Sequence, residues 1–300
     1  MSALKVGFIG IGNMGGLMSA NLLAAGFPLC VHDGRKQAAE SLLERGALWF
    51  DSPREIAESV EVICTSLPGP SQMEAVTLGK NGILEGIHSG LTYIDFSTNA
   101  PTLVRKVHDK IVEKGGKMLD APVSGGVEGA RSKKLSVQVG GDPQVLEEVR
   151  PVFEAISEKV VYVGEIGAGS ICKLMHNCAV FCANLAMVEC FTAGIKAGVD
   201  AKTLVDVFQD SGIGRNHDLQ VSLPASLFQG NFEPRFNMKT ALKDMKLATD
   251  LAREYRVPMN LAQLCESDMT KAIEEGLGDK DHTVFLTLQE DRAGVEVRTS

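Results

Sequence analysis

Short apolar runs alternate with helix-like stretches through the first half of the chain. Runs of this kind, ended by glycine, proline or charged residues, are typical of buried parallel strands. The runs that predict strands are residues 5–9, 29–32, 62–67, 92–96, 117–120, 135–139 and 160–163. Helices are predicted between them, around Met73 and at residues 36–45, 53–59 and 101–114. This alternation predicts an α/β fold with a doubly wound, mostly parallel sheet.

After residue 164 the strand pattern gives way to helical spacing. Residues 170–197 form one long helical signal that is apolar on most sides, which predicts a helix buried between domains or subunits. Further helices are predicted at residues 202–210, 222–228, 239–254, 261–275 and 283–291. The chain is therefore predicted to have an α/β domain over residues 1–164 and an all-α C-terminal domain over residues 165–300, joined by a long interdomain helix.

The loop after the first strand is rich in glycine and reads Gly10-Ile11-Gly12-Asn13-Met14-Gly15. Its first glycine permits a tight turn, the second lets a pyrophosphate approach the backbone, and the third lets helix and strand pack closely. Free N–H groups at the helix N-terminus favour the phosphates. Glycines are common in loops, but here a strand precedes them and a helix follows. We therefore expect residues 1–164 to be a dinucleotide-binding Rossmann domain.

The residue that ends the second predicted strand selects between the two nicotinamide cofactors. Asp33 stands there, and a carboxylate at this place accepts hydrogen bonds from the adenosine ribose and repels a 2′-phosphate. Arg35 and Lys36 could instead reach a 2′-phosphate, or they could simply begin a solvated helix. The sequence thus favours NAD and leaves NADP possible.

Composition narrows the class of protein. The hydrophobic content of 44% and the charged content of 23% are ordinary for a soluble globular chain. A net charge of −8 without a long basic stripe argues against nucleic acid as the main partner. The most apolar later run, residues 178–188, is too short to span a bilayer, and no signal-type segment opens the chain. We expect a cytoplasmic protein with no membrane or nucleic-acid partner.

The seven cysteines are odd in number and form no CxxC pair, which favours reduced, buried thiols. Cys178 and Cys182 are four residues apart on a predicted helix, but no histidine or carboxylate accompanies them at ligand spacing. No metal site is expected.

A short segment that follows the strand at residues 117–120 carries groups suited to a small anion. Ser124 supplies a hydroxyl, and Gly125 and Gly126 supply two N–H groups with no side chains in the way. Ligands collect at the carboxyl ends of strands in sheets of this kind. The segment is predicted to bind a small carboxylate, although a plain glycine-rich turn would look the same.

The long helix carries the candidate acid–base group. Lys173 and Asn177 are four residues apart and so project from one face. A lysine on so apolar a helix is not readily explained as a solvated charge, and such an amine can exchange a proton with a hydroxyl or carbonyl oxygen. Asn177 could orient that oxygen. His176 sits about 100° round the helix from Asn177, which favours a core or interface histidine.

A later helix presents three lysines on one side, Lys239, Lys243 and Lys246. They either form a solvated basic face or place one amine across the interdomain cleft near the cofactor or a substrate carboxylate. No Ser/His/Asp or Cys/His set occurs at convincing spacing, so nucleophilic catalysis has little support.

Four of these motifs together resemble the β-hydroxyacid dehydrogenases, in the order and spacing of that family. They cover nearly the whole chain: residues 7–15, residues 120–126, Gly167-x-Gly169-x-x-x-Lys173-x-x-x-Asn177, and Lys243-Asp244. The family includes 3-hydroxyisobutyrate dehydrogenase and tartronate semialdehyde reductase. The resemblance implies a Rossmann domain, a long connecting helix and an all-helical domain that forms a homodimer or homotetramer.

The resemblance also implies roles for individual residues. Lys173 would be the catalytic acid–base group. Ser124, Gly125 and Asn177 would hold the substrate. The neighbouring Gly126 is also expected to bind the substrate. Lys243 would lie at the nicotinamide end, and Thr98 would touch the cofactor. Leu67 and Pro68, at the end of another strand, are also expected to bind the cofactor. Gly34, directly after Asp33, supports NAD because NADP-using relatives tend to carry an arginine there.

The implied reaction is hydride transfer between NAD(P) and a small 3-hydroxy acid or its semialdehyde. One alternative is an imine reductase on the same scaffold, although such enzymes usually lack the lysine. Another is a dinucleotide-binding sensor without catalysis. Residues 211–217 and Arg235 depart from many family members. Arg215 or His217 could recognise an extra polar group on the substrate, or both could lie on the surface.

Overall fold

The computed structural model describes residues 4–211, 213 and 217–299. The chain divides into two compact units, Met1–Lys173 and Leu174–Ser300. The division predicted after residue 164, where the strand pattern gives way to helical spacing, stays a prediction.

One sheet organises the first unit. In the part of the chain that the structure describes, it contains nine strands: β1 (Val6–Ile9), β2 (Leu29–His32), β3 (Leu48–Trp49), β4 (Val62–Thr65), β5 (Thr92–Asp95), β6 (Lys117–Asp120), β7 (Val123–Ser124), β8 (Leu135–Gly141) and β9 (Ser157–Gly164). The strand order is β3-β2-β1-β4-β5-β6-β8-β7, and β9 pairs with β8. Strands β1 to β6 pair in parallel, whereas β8 runs antiparallel to β6 and β7. The predicted mostly parallel sheet is confirmed.

Helices follow the strands of this unit. They are α1 (Gly15–Ala24), α2 (Glu40–Leu43), α3 (Pro53–Ser59), α4 (Pro70–Leu78), α5 (Ile83–Gly86), α6 (Pro101–Glu113), α7 (Gly126–Ser132), α8 (Pro143–Glu148) and α9 (Arg150–Glu154). Proline opens four of them, because its missing N–H has no partner in the first turn. The predicted cap of α3 is present, since the Ser52 hydroxyl accepts a hydrogen bond from the Glu55 N–H.

Two apolar cores cover the two faces of the sheet, as a doubly wound fold requires. Phe8 and Ile94 belong to one core, and the neighbouring strand residues Ile63 and Tyr93 belong to the other. All four are fully buried. Burial on both faces explains why these strands read as continuous apolar runs.

The second unit is helical. Its elements are the greater part of α10 (Ala168–Lys196), which begins in the first unit, then α11 (Ala201–Asp210), α12 (Met238–Glu254), α13 (Asn260–Glu274) and α14 (Thr287–Ala293). The predicted helix at residues 222–228 is absent, and a π-type turn (Asp218–Ser222) and a 3₁₀ turn (Leu227–Gln229) stand there instead. Pro224 lacks the N–H that a continuous helix needs.

Helix α10 is the longest described helix, and its length and composition would suit a membrane span. One such helix is weak evidence, because the core helix of a soluble protein passes the same test, and half of its most apolar window is buried inside the structure. Within the second unit, Phe191 of α10 packs against Phe208 and Phe228 with ring centroids 4.8 and 5.8 Å away. We assign this part of α10 to the core of that unit.

Candidate active site

The glycine loop between β1 and α1 has the shape that a pyrophosphate needs. Gly10 adopts φ 83°, in the left-handed region that favours glycine. A Cβ at Gly15 would lie 1.9 Å from the Gly10 carbonyl oxygen, so helix and strand approach too closely for a side chain. A Cβ at Gly12 would meet nothing within 4 Å. The loop is therefore open at its middle glycine and fits a dinucleotide.

Asp33 braces this loop from the end of β2. One carboxylate oxygen accepts the N–H of Ile11 at 2.9 Å, and the other accepts the N–H of Arg35 at 2.9 Å. The Asp33 side chain keeps 14% of its exposure. These contacts place the carboxylate directly beside the glycine loop, with part of its surface free for a ligand.

The two cations that follow Asp33 have partners within the protein. The Arg35 Nε lies 3.9 Å from Asp33 Oδ1, and the Lys36 Nζ lies 5.4 Å from the ring centroid of Trp49. Trp49 belongs to β3, pairs with Val31 of β2, and donates its indole N–H to Asp51 at 2.7 Å. The Arg35 side chain remains 76% exposed in this arrangement.

A buried carboxylate at the end of β5 organises the next two loops. Asp95 accepts hydrogen bonds from the Thr65 hydroxyl at 2.7 Å, the Ser97 N–H at 3.1 Å and the Asn99 side-chain amide at 2.7 Å. The Ser97 hydroxyl in turn accepts the N–H of Leu67 at 2.8 Å. Burial raises the pKa of the Asp95 carboxyl, and these hydrogen bonds oppose the rise.

These hydrogen bonds bring several predicted cofactor residues together. Thr98 lies between the two loop residues that Asp95 holds, and Pro68 directly follows Leu67. A Cβ at Gly10 would approach the Leu67 Cδ2 to 2.9 Å, so the Leu67 side chain lies against the glycine loop. The predicted cofactor-binding residues of the first unit therefore line one edge of the sheet.

The candidate acid–base lysine meets the candidate substrate hydroxyl. Lys173 Nζ donates to Ser124 Oγ at 3.2 Å, and both side chains are half-buried. The residues that contribute the pair are 49 positions apart. Gly125 and Gly126 follow Ser124, are exposed, and have φ values of 128° and 60°. The Ser124–Lys173 pair and the two glycine N–H groups thus lie on one short stretch of surface.

Another buried carboxylate ends β6 and contacts the start of α10. Asp120 Oδ1 accepts the N–H of Gly167 at 2.7 Å, and Oδ2 accepts the N–H of Ser170 at 2.7 Å. Burial raises the pKa of this carboxyl, and the two backbone N–H groups oppose the rise. Asp120 therefore joins the sheet to the helix that carries Lys173.

Asn177 belongs to a separate cluster in the second unit. Its Nδ2 donates to Asp244 Oδ2 at 2.8 Å, and the Lys243 Nζ lies 2.7 Å from Asp244 Oδ1. Asp244 and Asn177 are buried, at 2% and 8% exposure. His176 is exposed, and its Nδ1 lies 3.2 Å from the Asn177 Oδ1. Asp244 thus fixes both predicted site residues of this unit.

Other candidate residues lie elsewhere. Arg235 donates to the Ala225 carbonyl oxygen at 2.8 Å, and Lys239 pairs with Asp279 at 2.8 Å. His217 is exposed, and Arg215 lies outside the described residues. Among residues 4–211, 213 and 217–299, no group of three or more His, Cys, Asp and Glu side chains could hold a metal ion.

Three site carboxylates had no role assigned from the sequence, namely Asp95, Asp120 and Asp244. Two of them carry a local signal, because an aspartate that ends an apolar strand must find hydrogen-bond donors if it is buried. Asp95 is followed by Ser97 and Asn99, which supply such donors. The backbone N–H partners of Asp120 lie 47 and 50 residues away and the Asn177 partner of Asp244 lies 67 residues away, so no local pattern reveals these hydrogen bonds.

Comparison with known proteins places both halves of the chain. Residues 5–164 match the family model described as the NAD binding domain of 6-phosphogluconate dehydrogenase. Residues 167–288 match the model described as NAD-binding of NADP-dependent 3-hydroxyisobutyrate dehydrogenase. The two models together span the glycine loop, Asp33, Ser124, Lys173, Asn177 and Lys243.

Curated relatives align over nearly their whole length. The 2-(hydroxymethyl)glutarate dehydrogenase of Eubacterium barkeri is 30% identical, covering 98% of both chains. The NAD-dependent L-serine dehydrogenase of Pseudomonas aeruginosa is 32% identical, covering 97% of this chain and 99% of the relative. A solved structure of Mycobacterium tuberculosis 3-hydroxyisobutyrate dehydrogenase with L-serine has a TM-score of 0.87 at 30% identity, covering 96% of this chain and 99% of the other.

Proposed function

This chain belongs to the β-hydroxyacid dehydrogenase family and is an NAD(P)-dependent oxidoreductase, and we propose on that premise that Lys173 is its acid–base group. The observation that carries the proposal is the 3.2 Å contact between Lys173 Nζ and Ser124 Oγ. An amine within hydrogen-bond distance of a hydroxyl, followed in the chain by two exposed glycines, suits proton exchange with an alcohol oxygen.

The proposed cofactor is NAD. The residues proposed to hold it are Gly10, Ile11, Gly12, Asn13, Met14, Gly15, Asp33, Leu67, Pro68, Thr98 and Lys243. When bound, the nicotinamide ring accepts the hydride in oxidation and supplies it in reduction. We assign the pyrophosphate to the glycine loop and the ribose hydroxyls to the Asp33 carboxylate. The partly exposed Asp33 carboxylate, which would repel a 2′-phosphate, supports NAD over NADP.

We assign the proton transfer to Lys173 in both oxidation and reduction. In oxidation the neutral amine takes the proton of the substrate hydroxyl as the hydride leaves the carbon that bears that hydroxyl. In reduction the ammonium returns that proton to the carbonyl oxygen. The Ser124 hydroxyl accepts a hydrogen bond from Nζ and so keeps the amine in place. Asn177, which Asp244 fixes, is assigned to orient the substrate oxygen.

The proposed substrate class is a 2-substituted 3-hydroxypropanoate. The compounds in the names of the compared proteins are 3-hydroxyisobutyrate, L-serine and 2-(hydroxymethyl)glutarate. Each has a primary alcohol on the carbon next to the one that bears the carboxylate. We assign the carboxylate to the exposed N–H groups of Gly125 and Gly126, beside Ser124. Oxidation would give the corresponding semialdehyde.

We further propose a cytoplasmic homodimer or homotetramer. Exposed apolar side chains at the end of α12 and the start of α13 support assembly, because monomers rarely leave such clusters open. They are Tyr255, Val257, Leu261 and Leu264, each at least half exposed.

Replacing the lysine tests the proposed chemistry. We expect Lys173→Ala to lower kcat about 10³-fold or more, near the upper range for general acid–base catalysis. The dissociation constant for NADH should stay near wild type, because the residues assigned to the cofactor are unchanged. Lys239→Ala, a surface lysine paired with Asp279, is the matched control and should keep full turnover.

The assay uses a panel of 3-hydroxy acids and semialdehydes with both cofactors, read by absorbance of the reduced nicotinamide. Near-normal turnover in Lys173→Ala would remove the lysine from the mechanism. Turnover of cyclic imines but of no 3-hydroxy acid would favour the imine reductase. NADH binding without turnover of any substrate would favour a sensor.

A further inference from the structure

We propose that Asp120 is a positioning residue that sets the place of Lys173 by fixing the first turn of α10 to the sheet. The inference rests on the proposed function, because it assigns Asp120 no chemistry of its own. Its carboxylate oxygens accept the backbone N–H groups of Gly167 and Ser170. It contacts the backbone that begins the helix.

The carboxylate matches its two partners. Each oxygen accepts one backbone N–H, from Gly167 and from Ser170, and both distances are 2.7 Å. Asp120 is fully buried, so no water replaces either hydrogen bond at low cost. The N-terminal N–H groups of a helix have no partner within the helix, and an anion there is stabilised by the helix dipole. Only an ionised carboxylate offers two acceptors in this space.

Two close backbone approaches hold the carboxylate from either side. A Cβ at Gly140 of β8 would lie 2.4 Å from Asp120 Oδ1. A Cβ at Gly169 would lie 2.6 Å from the Asp120 carbonyl oxygen and 3.0 Å from Oδ2. The first turn of the helix therefore begins in direct contact with two strands, through the backbone of Asp120 and of Gln138.

The same short segment contacts α10 twice. Asp120 holds the N–H of Ser170, and four residues later Ser124 accepts a hydrogen bond from Lys173. Ser170 and Lys173 are three residues apart, which is a rise of about 4.5 Å along a helix. A shift at the first contact is therefore transmitted to the second. Displacement of a catalytic group by about 1 Å can cost about a hundredfold in rate.

Asp120→Asn changes this contact with little change in volume. The amide offers one acceptor and one donor, so one of the two N–H groups faces an NH₂ group and loses its partner. We expect the variant to lower kcat about ten- to hundredfold and to leave the dissociation constant for NADH within about twofold of wild type. Hydrogen exchange read by mass spectrometry should become faster at the start of α10.

A double-mutant cycle separates positioning from a general loss of structure. In the Lys173→Ala background, where residual turnover has no lysine to position, Asp120→Asn should cost less than about twofold. Asp95→Asn is the matched control, because Asp95 is an equally buried aspartate that pairs in register with Asp120. The effect of Asp95→Asn should act through the loops at Leu67 and Thr98 and raise the dissociation constant for NADH. This effect should be the same in wild type and in Lys173→Ala.

An equal loss from Asp120→Asn with and without Lys173 would overturn the proposal, as would unchanged kcat with faster exchange at the start of α10. If Asp120→Asn does not fold, Asp120→Glu makes the same test, because it keeps the charge and both acceptors but displaces them by one methylene group, and it should lower kcat in the same way. Failure of the proposed function would look different, since Lys173→Ala itself would then keep its turnover.

Discussion

Three aspartates follow or end parallel strands at the same edge of the sheet, yet they belong to two different kinds of region. Asp33, after β2, keeps 14% of its side-chain exposure, accepts two backbone N–H groups and lies 3.9 Å from the exposed Arg35 Nε. Asp95 and Asp120, at the ends of β5 and β6, have residue exposures of 1% and 0%. Each of the two uses both carboxylate oxygens on protein donors.

The difference separates a partly exposed carboxylate, which we propose binds the cofactor, from two buried carboxylates that accept hydrogen bonds from the protein. The same residue type at the same edge of a sheet faces outward in one place and inward in another, and residual exposure distinguishes them. Buried carboxylates need a full set of donors, so they order the loops that supply those donors. We expect changes at Asp33 to alter cofactor choice and changes at the buried pair to alter stability or geometry.

The largest expected effect in this comparison is on stability. Asp95→Ala leaves the Thr65 hydroxyl, the Ser97 N–H and the Asn99 amide without their acceptor, which should cost about 3 kcal/mol in the free energy of unfolding. Asp33→Ala should cost less than about 1 kcal/mol, because water reaches the N–H groups it releases. Denaturant unfolding followed by circular dichroism measures both. Equal losses of unfolding free energy in the two variants would contradict the distinction between buried and partly exposed carboxylates.

The next effect is on cofactor preference. Asp33→Ala removes the acceptors proposed for the ribose hydroxyls and the negative charge that repels a 2′-phosphate. We expect the ratio of kcat/KM for NAD to that for NADP to fall about tenfold, which is about 1.4 kcal/mol. Steady-state rates with both cofactors give this ratio. An unchanged ratio would mean that Asp33 only braces the glycine loop.

The smallest effect is in the pH dependence of stability. Burial raises the pKa of Asp95 in the folded protein, whereas the unfolded carboxyl titrates at about 4. The part of the Asp95 contribution to stability that depends on its protonation is therefore fully present below about pH 4 and is lost as pH rises through the raised pKa. The amount by which the unfolding free energy of wild type exceeds that of Asp95→Asn should therefore fall as pH rises above about 4. A difference that grows with pH would show that the hydrogen bonds outweigh burial.

The fold could be predicted from the sequence wherever burial produces a long pattern. The strand at residues 117–120 was predicted with its observed bounds, because both of its faces are covered and every position is apolar or at an end. Strands β3 and β7 are two residues long, too short for any periodicity, and both were missed. The helix that apolar spacing predicts at residues 222–228 is wrong, because Pro224 lacks the N–H that a continuous helix needs.

Within the candidate site, the sequence indicates residues that have a local signature and does not indicate residues that act through distant partners. The glycine loop and Asp33 lie in one stretch, and Lys173 stood out as a charge on an apolar helix. The role of Asp120 depends on N–H groups 47 and 50 residues away, and that of Asp244 on an amide 67 residues away. Such pairings are set by the order of strands and helices in space, which no single segment encodes.

Trp49 has a consequence for how this protein can be observed. It is the only tryptophan in the chain, and it stands on the edge strand beside β2, with the His32 ring 5.5 Å and the Lys36 amine 5.4 Å from its ring. Its fluorescence emission therefore originates from a single corner of the molecule, next to the strand that leads to Asp33. The chain carries a built-in optical reporter of that corner, with no background from a second indole.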